Sequence, residues 1–537
     1  MIANEQFGSG VVLCGDLDGD ARSEVAAGAP LGAAGAGVVR VLSGATGALV
    51  WQANGPTVGS RFGAALASVS DWNGDGKREL VVGAWQANAP GRAGAGLVRV
   101  LSGADGALLF EAFGDGANDH LGWTVAGLGD LDGDGRDEFA ASAIDDDDGG
   151  ASAGSVRVYA SVSGATRLSL HGNAALMLYG SAITAVRDVD GDGVGELAVG
   201  GPFAPSVTTQ PGLVRLHSGA SGAVLRTWTG GAARDAFGSA LAAPGDLDGD
   251  GVPDLAIGAR QSPTTGPGYV QLVSGAASAA GPIASIASPV GWRAFGLRIA
   301  AAGDVDYDGR GDLWIGAPET TTTATQAGAA RLVSGATGAV LLDVLGTTTN
   351  ERLGAALDAG RDLDGNESPD LVVGAPGANP VGTNSGRVRA ISGNDAAPPP
   401  PPPQHAPLEA DVAEISYSAR GAQELFLRAG AEHAGERYLL LGSMHGTDPG
   451  FTRDGVFVPL APDRYFLIGL RHPRLSPLDP ARGELHASGE AVARFRLAAP
   501  WRMRCLVGRT FHHAFVTLGA DGHLTSASNA VSCTIVP

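Results

Sequence analysis

Asp130-Leu131-Asp132-Gly133-Asp134-Gly135-Arg136-Asp137-Glu138 is the stretch on which the fold turns. Carboxylates stand at its positions 1, 3, 5 and 9, with glycine at position 6. A calcium ion takes about six to eight oxygens at roughly 2.3–2.6 Å, and side chains at these four positions can converge on one point. Position 7 offers a backbone carbonyl, and glycine at position 6 permits the sharp turn with φ above zero. The same stretch begins again at Asp16, Asp71, Asp188, Asp246, Asp304 and Asp362. The seven copies are spaced 55, 59, 58, 58, 58 and 58 residues apart, and so constant a period marks a repeat architecture.

Outward from each acidic stretch, the same signals recur in order. An aromatic residue or leucine followed by glycine opens each repeat: Phe7-Gly8, Phe62-Gly63, Leu121-Gly122, Tyr179-Gly180, Phe237-Gly238, Phe295-Gly296 and Leu353-Gly354. A short apolar run leads into the acidic stretch. A second run leaves it and ends in Gly28-Ala29-Pro30, Gly83-Ala84-Trp85, Gly316-Ala317-Pro318 or Gly374-Ala375-Pro376. A third, such as Val38-Val39-Arg40-Val41-Leu42, ends in Ser-Gly, and a fourth reads like Ala107-Leu108-Leu109-Phe110. Short runs rich in Val and Leu, bounded by Gly, Pro, Asp and Ser, are strands joined by turns. Four strands per period, A to D, predict an all-β, seven-bladed β-propeller. The period exceeds that of a WD40 repeat, and its Trp-Asp pair is missing. Fourth strands are predicted near residues 48–54, 107–113, 166–171, 223–229, 282–288 and 339–345. The seventh repeat runs from Ile391-Ser392-Gly393 into prolines without one.

These Phe-Gly and Gly-Ala-Pro pairs flanking a D-x-D-G-D-G stretch resemble FG-GAP repeats. Such repeats build the seven-bladed propeller of integrin α subunits and of many exported bacterial proteins. The resemblance spans residues 1–395, with repeats starting near residues 7, 62, 121, 179, 237, 295 and 353. It implies that the acidic loop joins strands A and B on the lower face. It also implies that ligands are taken by the upper-face loops, D to A and B to C.

The expected calcium ligands are as follows. Loop 1 offers Asp16, Asp18, Asp20 and Glu24, but has Ala21 at the turn. Loop 2 offers Asp71, Asn73, Asp75 and Glu79. Loops 3, 4 and 5 are complete, with Asp130, Asp132, Asp134 and Glu138, then Asp188, Asp190, Asp192 and Glu196, then Asp246, Asp248, Asp250 and Asp254. Loop 6 keeps Asp304, Asp306, Asp308 and Asp312 although Tyr307 replaces its first glycine. Loop 7 departs most, with Asp362, Asp364, Asn366 and Asp370, and Glu367 at the turn. Up to seven Ca²⁺ ions are expected, with loops 1 and 7 the weakest. The bland alternative is that some loops are plain Asp-Gly turns. EF-hands do not fit, since a glutamate at position 12 and flanking helices are absent.

The formal net charge is −20, and positions 1, 3, 5 and 9 of the loops hold 26 of the 56 acidic residues. Nucleic acid is excluded as a partner, because its binding needs clustered Lys and Arg. No uninterrupted apolar run is long enough to span a membrane. The three cysteines form no C-x-x-C; Cys505 and Cys533 could pair, while Cys14 stands alone in a strand. No signal peptide precedes the first repeat. Calcium loops suit the cell exterior, so the natural start is expected upstream of Met1, with the strand that completes the seventh blade. A three-stranded seventh blade is the alternative.

Several tempting motifs carry little. Arg310-Gly311-Asp312 lies inside loop 6, where Asp312 is an expected ligand. Asn366-Glu367-Ser368 is a glycosylation sequon in form only, inside loop 7 and followed by Pro369. Asp145-Asp146-Asp147-Asp148 reads as a solvated charge run. His512-His513 are adjacent on a strand, so they face opposite ways and cannot readily chelate. Upper-face candidates are Trp85, Asp119, His120, Arg234, Trp292, Arg293 and Arg352, with the two indoles the most interesting as exposed anchors.

Residues 396–407, with Pro398 to Pro403, form a polyproline linker. Residues 408–537 alternate apolar and polar positions, which predicts a smaller antiparallel β-sandwich. The function expected is a non-catalytic, calcium-binding, monomeric module for adhesion or for protein or surface-glycan binding at the cell exterior. A lectin with sugar pockets on or between blades is the first alternative, and a calcium-dependent polysaccharide-degrading enzyme the second. No G-x-S-x-G, H-E-x-x-H or P-loop is present.

Overall fold

The computed structural model describes residues 3–393 apart from 162, 205–208, 262–265, 278, 280, 307 and 365–367. Beyond these it describes the strands of 408–536 with a few adjoining residues. The chain divides into two compact units, Met1–Pro398 and Pro399–Pro537. The linker prolines Pro399 to Pro403 and Cys505 lie outside the described residues.

The first unit is a seven-bladed propeller. Six blades are four-stranded sheets paired in chain order, and the seventh has three strands among the described residues. In blade 3, strand A is Leu121–Gly129, B is Glu138–Ala143, C is Ser155–Tyr159 and D is Thr166–His171. The six D strands stand where the sequence places them, from Leu49–Asn54 in blade 1 to Val340–Leu345 in blade 6. Among the described residues blade 7 ends on strand C, Arg387–Ile391. Every residue of B strands such as Glu79–Ala84 and Asp254–Ala259 is buried. Neighbouring blades cover both faces, so these runs are continuously small or apolar rather than alternating. D strands such as Leu49–Asn54 mix exposed and buried positions because they form the rim.

Strand A of each blade packs on strand A of the next, and strand A of blade 7, Ala356–Arg361, packs on that of blade 1, Gly10–Leu13. Between blades, the aromatic residue of the Phe-Gly pair makes a parallel bridge to a glycine of the preceding blade, as in Phe62 to Gly37 and Phe295 to Gly268. Phe7 to Gly386 closes the ring in the same way. Phe62, Phe237 and Phe295 are fully buried at these joints, and each buried ring contributes about 2–3 kcal/mol. At six of the seven joints two glycines meet, and at the joint of blades 3 and 4 Ser142 faces Gly180. A Cβ at Gly258 of blade 5 would lie 2.1 Å from the Gly296 carbonyl oxygen of blade 6, and one at Gly374 of blade 7 would lie 2.0 Å from that of Gly8 in blade 1. A side chain at so close an approach must push the blades apart, and this is the physical reason for the paired glycines.

In the second unit, Leu408–Ala410, Ala422–Arg428, Glu490–Arg496 and Leu478–Asp479 make one sheet. Glu414–Ser416, Val531–Val536, Thr510–Leu518, Arg437–Ser443 and Arg482–Glu484 make another, with Leu524–Ala527 on its Thr510–Leu518 strand. Phe495 of the first sheet packs against Phe511 and His513 of the second, at centroid distances of 5.0 and 4.5 Å. His513 is wholly buried while His512 is not, so the pair does face opposite ways. Burial pushes the His513 imidazole down to about 3.

Acidic loops and the opposite channel mouth

Each acidic loop joins strand A to strand B, and its position 9 is the first residue of strand B or its immediate neighbour. Loop 4 shows the local chemistry. Asp188 accepts the Gly191 N–H at 2.6 Å and the Gly193 N–H at 2.9 Å, Asp190 accepts that of Asp192 at 3.1 Å, and Asp192 that of Val194 at 2.8 Å. These side-chain-to-backbone bonds curl the loop and turn the carboxylates toward one another. The turn at position 6 has positive φ in the loops where it is described, +87° at Gly135, +87° at Gly193, +86° at Gly251 and +88° at Gly309 among them. Loop 1 forces Ala21 to +68°.

Carboxylate oxygens of Asp188, Asp190, Asp192 and Glu196 lie within 4.8 Å of one another. So do those of Asp16, Asp18 and Glu24, and those of Asp71, Asp75 and Glu79. Among the described residues these clusters could hold a metal. Tyr307 of loop 6, and Asn366 and Glu367 of loop 7, lie outside the described residues.

Position 9 is the unusual member. Glu24, Glu138, Glu196, Asp254 and Asp312 are fully buried. One oxygen accepts the N–H of position 2: Leu131 to Glu138 at 2.7 Å, Val189 to Glu196 at 2.7 Å, Leu363 to Asp370 at 2.7 Å. The other accepts an N–H from the turn between strands C and D. Gly103 donates to Glu79 at 2.9 Å, Gly335 to Asp312 at 3.0 Å and Gly393 to Asp370 at 2.9 Å. The same turn supplies a hydroxyl to position 5, Ser161 to Asp134 at 3.0 Å and Ser334 to Asp308 at 3.3 Å. Loops 2, 3, 5 and 6 are therefore strapped to the C–D turn of their own blade, and loop 7 to the residues that follow its strand C, while in loops 1 and 4 the second oxygen of position 9 makes no such bond. The sequence carried the signal, a Ser-Gly closing most C strands, but read alone it looked like any turn.

Burial, reinforced by Asp190, Asp188 and Asp192, pushes the Glu196 carboxyl up to about 7 against the opposing Val189 N–H. Burial likewise pushes Asp312 up to about 7 and Asp304 up to about 6. Asp130 goes the other way, since N–H donors at Gly135 and Gly133 outweigh its slight desolvation and hold it below the usual carboxylate range. Glu24 Oε1 and Glu196 Oε1 are buried without a hydrogen-bond partner. A buried oxygen of this kind wants a partner, and a hard divalent cation among the other carboxylates would supply it. The residues fit such an ion.

The other face alters part of the sequence reading. Trp292 is buried at 5% exposure, packed on Phe295 with the Arg331 guanidinium 4.9 Å above its ring, so it is core and not an exposed anchor. Its loop folds back over the blade joint, a placement that sequence periodicity does not report. Asp119 is also buried and accepts the Gly116 N–H at 2.6 Å, a turn-capping role. Asp146 departs from the solvated charge run, being buried and accepting the Ser155 hydroxyl at 2.6 Å, whereas Asp145 pairs with His120 at 2.8 Å. Asp312 is sealed inside the blade, so the Arg-Gly-Asp tripeptide does not present its carboxylate at the surface.

Trp85 does sit at an opening. The first residues of all seven A strands, at 9–11, 64–66, 123–125, 181–183, 239–241, 297–299 and 356–357, ring a cavity of about 590 Å³. It is the mouth of the central channel at the end away from the acidic loops. Trp85 meets Trp123 edge to face at 5.0 Å and His120 at 5.1 Å.

A family model described as FG-GAP repeat matches residues 62–101, 237–273 and 353–391. The chain carries FG-GAP repeats. It is 30% identical over 222 residues to integrin alpha-5 of Xenopus laevis, a match covering 38% of this chain and 20% of that protein. Integrin alpha-4 of the same organism is 33% identical over 162 residues, covering 28% of this chain and 15% of that protein. The chain thus spans a fifth or less of these relatives. Sqt1 of Saccharomyces cerevisiae superposes with a TM-score of 0.41 at 12% identity, over 69% of this chain and 81% of that one. The three matched FG-GAP repeats are blades 2, 5 and 7. Blades 3 and 4 depart in sequence yet build the same joint, blade 3 with Ser142-Ala143-Ile144 and blade 4 with Tyr179-Gly180 and Gly200-Gly201-Pro202.

Proposed function

We propose that this FG-GAP propeller is a non-enzymatic binding or adhesion module of the cell exterior, stiffened by calcium in its acidic loops and taking its partner on the opposite face. The observation that carries this is the buried, partnerless carboxylate oxygen beside converging aspartates in loops 1 and 4. Similarity to integrin α subunits supports both the cation and a protein partner; a surface glycan is the alternative partner. In the absence of cation, clustered carboxylates oppose folding. A site filled at about 100 times its Kd adds roughly 2.7 kcal/mol. No helix among the described residues is long and apolar enough to cross a membrane.

Thermal unfolding in calcium and in chelator, with metal analysis of the purified protein, tests this. The expected result is five to seven Ca²⁺ per chain, following the ranking of the loops, with a large calcium-dependent rise in Tm. Equal melting in both conditions, with no metal retained, would show the loops to be turns and remove the basis of the proposal.

A further inference from the structure

The channel mouth carries charge of the sign that the protein as a whole lacks. The chain is at −20, yet Arg260 and Arg298 line the mouth whose wall also includes Trp85, Trp123 and Phe203, with no Asp or Glu among the lining residues. Other arginines are matched: Arg40 to Glu5 at 2.9 Å, Arg99 to Glu111 at 2.6 Å and Arg331 to Asp343 at 2.6 Å. At the far end of the channel Arg78 pairs with Asp137 at 3.3 Å, and Asp358 acts on Arg361. Arg298, by contrast, donates only to the Leu297 carbonyl at 2.9 Å. Neither it nor Arg260 has a carboxylate partner among the described residues.

Arg298 is open to water in the lumen but enclosed by the ring of blades. That enclosure, and then the charge of Arg260, hold its guanidinium below the ordinary value. Two like charges in an enclosed mouth favour an anion between them, and guanidinium forks match a carboxylate well. The aromatic rim adds a second requirement. Trp123 is 39% exposed, and an open indole at a pocket rim covers a flat apolar face. The cavity volume falls within the range of small-molecule sites, about 300–1,000 Å³.

We propose that the channel mouth binds a hexuronate residue of an acidic glycan. The sugar carboxylate lies between Arg260 and Arg298, and its ring lies against Trp123 and Trp85. A neutral sugar leaves the arginines unmatched, and an acidic side chain of a protein leaves the indoles uncovered; a carboxylated sugar satisfies both. The proposal rests on the reading of this face as the ligand face.

Titration calorimetry on the full chain in saturating calcium tests it. The probe is a tetrasaccharide alternating glucuronic acid and N-acetylglucosamine, compared with its carboxyl-reduced counterpart. The expected result is binding of the acid form at least about tenfold tighter than the reduced form, weakening with salt. Arg260→Gln and Arg298→Gln should each lose about tenfold with Tm and calcium content unchanged. Trp123→Ala should weaken both glycans. Equal binding of the two glycans, or full affinity in both arginine variants, would overturn the proposal. So would a glutamate-rich peptide that competes with equal strength. Should the variants fail to fold, the comparison of the two glycans on the unaltered protein still decides. A protein that gains stability from calcium but ignores the tetrasaccharide refutes this inference and leaves the calcium-stiffened module standing.

Discussion

Gly258→Ala puts a number on the blade joint. The added Cβ would lie 2.1 Å from the Gly296 carbonyl oxygen, more than 1 Å short of the 3.4 Å at which ordinary contact begins. Gly258 has no left-handed backbone, so lack of space is the whole effect. The obstacle is backbone of the next blade and cannot swing aside, so blades 5 and 6 must separate locally. Forcing a group into a filled site costs about 1–3 kcal/mol. Blade 3 carries Ser142 at the same position, its hydroxyl accepting the Thr124 N–H at 3.0 Å, so a side chain there is survivable and the lower half of that range is expected. In a chain of this length each kcal/mol moves Tm by about 2 °C. Gly231→Ala is the matched control, since its Cβ meets nothing within 4 Å, and its effect should stay within about 0.5 kcal/mol. Calorimetry of both variants in saturating calcium should separate them by about 2–4 °C. If they melt together, close glycine contact is not what shapes the joint, and the account of the paired glycines is wrong.

Ala21→Gly should stabilise the protein by about 0.5–1 kcal/mol, because Ala21 sits at φ +68° where glycine pays no Cβ penalty; chemical denaturation with and without calcium checks it. Glu196→Gln should remove one calcium per chain by metal analysis and lower Tm in calcium. In chelator it should raise Tm, since it deletes a buried charge whose Oε1 lacks a partner. Asp358→Asn concerns the channel. Burial, against the Leu13 N–H and Arg361, pushes Asp358 from 3.8 up to about 6. A carboxyl raised on folding stabilises fully below about pH 4 and loses that contribution as pH rises through about 6. The variant should therefore be more stable than the parent at pH 7, by up to about 3 kcal/mol, and match it at pH 4; a constant offset across that range would refute the assignment.

The blades were legible because each repeat states its strands in the same order, and the three strands that blade 7 has among the described residues agree with the prolines that follow its C strand in the sequence. Loop ligands were legible for the same reason. The role of position 9 was not. Glu138 reads as one more acid, and only the fold shows it buried between its own loop and the C–D turn. Trp292 misled because a loop tryptophan can lie over a joint as readily as it can face water. Arg260 follows strand B of blade 5 and Arg298 opens strand A of blade 6. Nothing in either neighbourhood marks them, and only ring geometry places both at one opening.

The seam between blade 7 and blade 1 uses the same pieces as every other joint: an aromatic bridge from Phe7 to Gly386 and a glycine contact between Gly8 and Gly374. Among the described residues no strand is shared across it, yet it has at the hub the contacts that the other joints have. The ring therefore has no privileged first blade. A gene rejoined across the seam and cut instead in an exposed D–A loop should yield the same propeller, with the polypeptide ends carried to a different point on the rim. That freedom makes the scaffold a turntable, on which a fused domain can be positioned at any of seven angles around one unchanged channel.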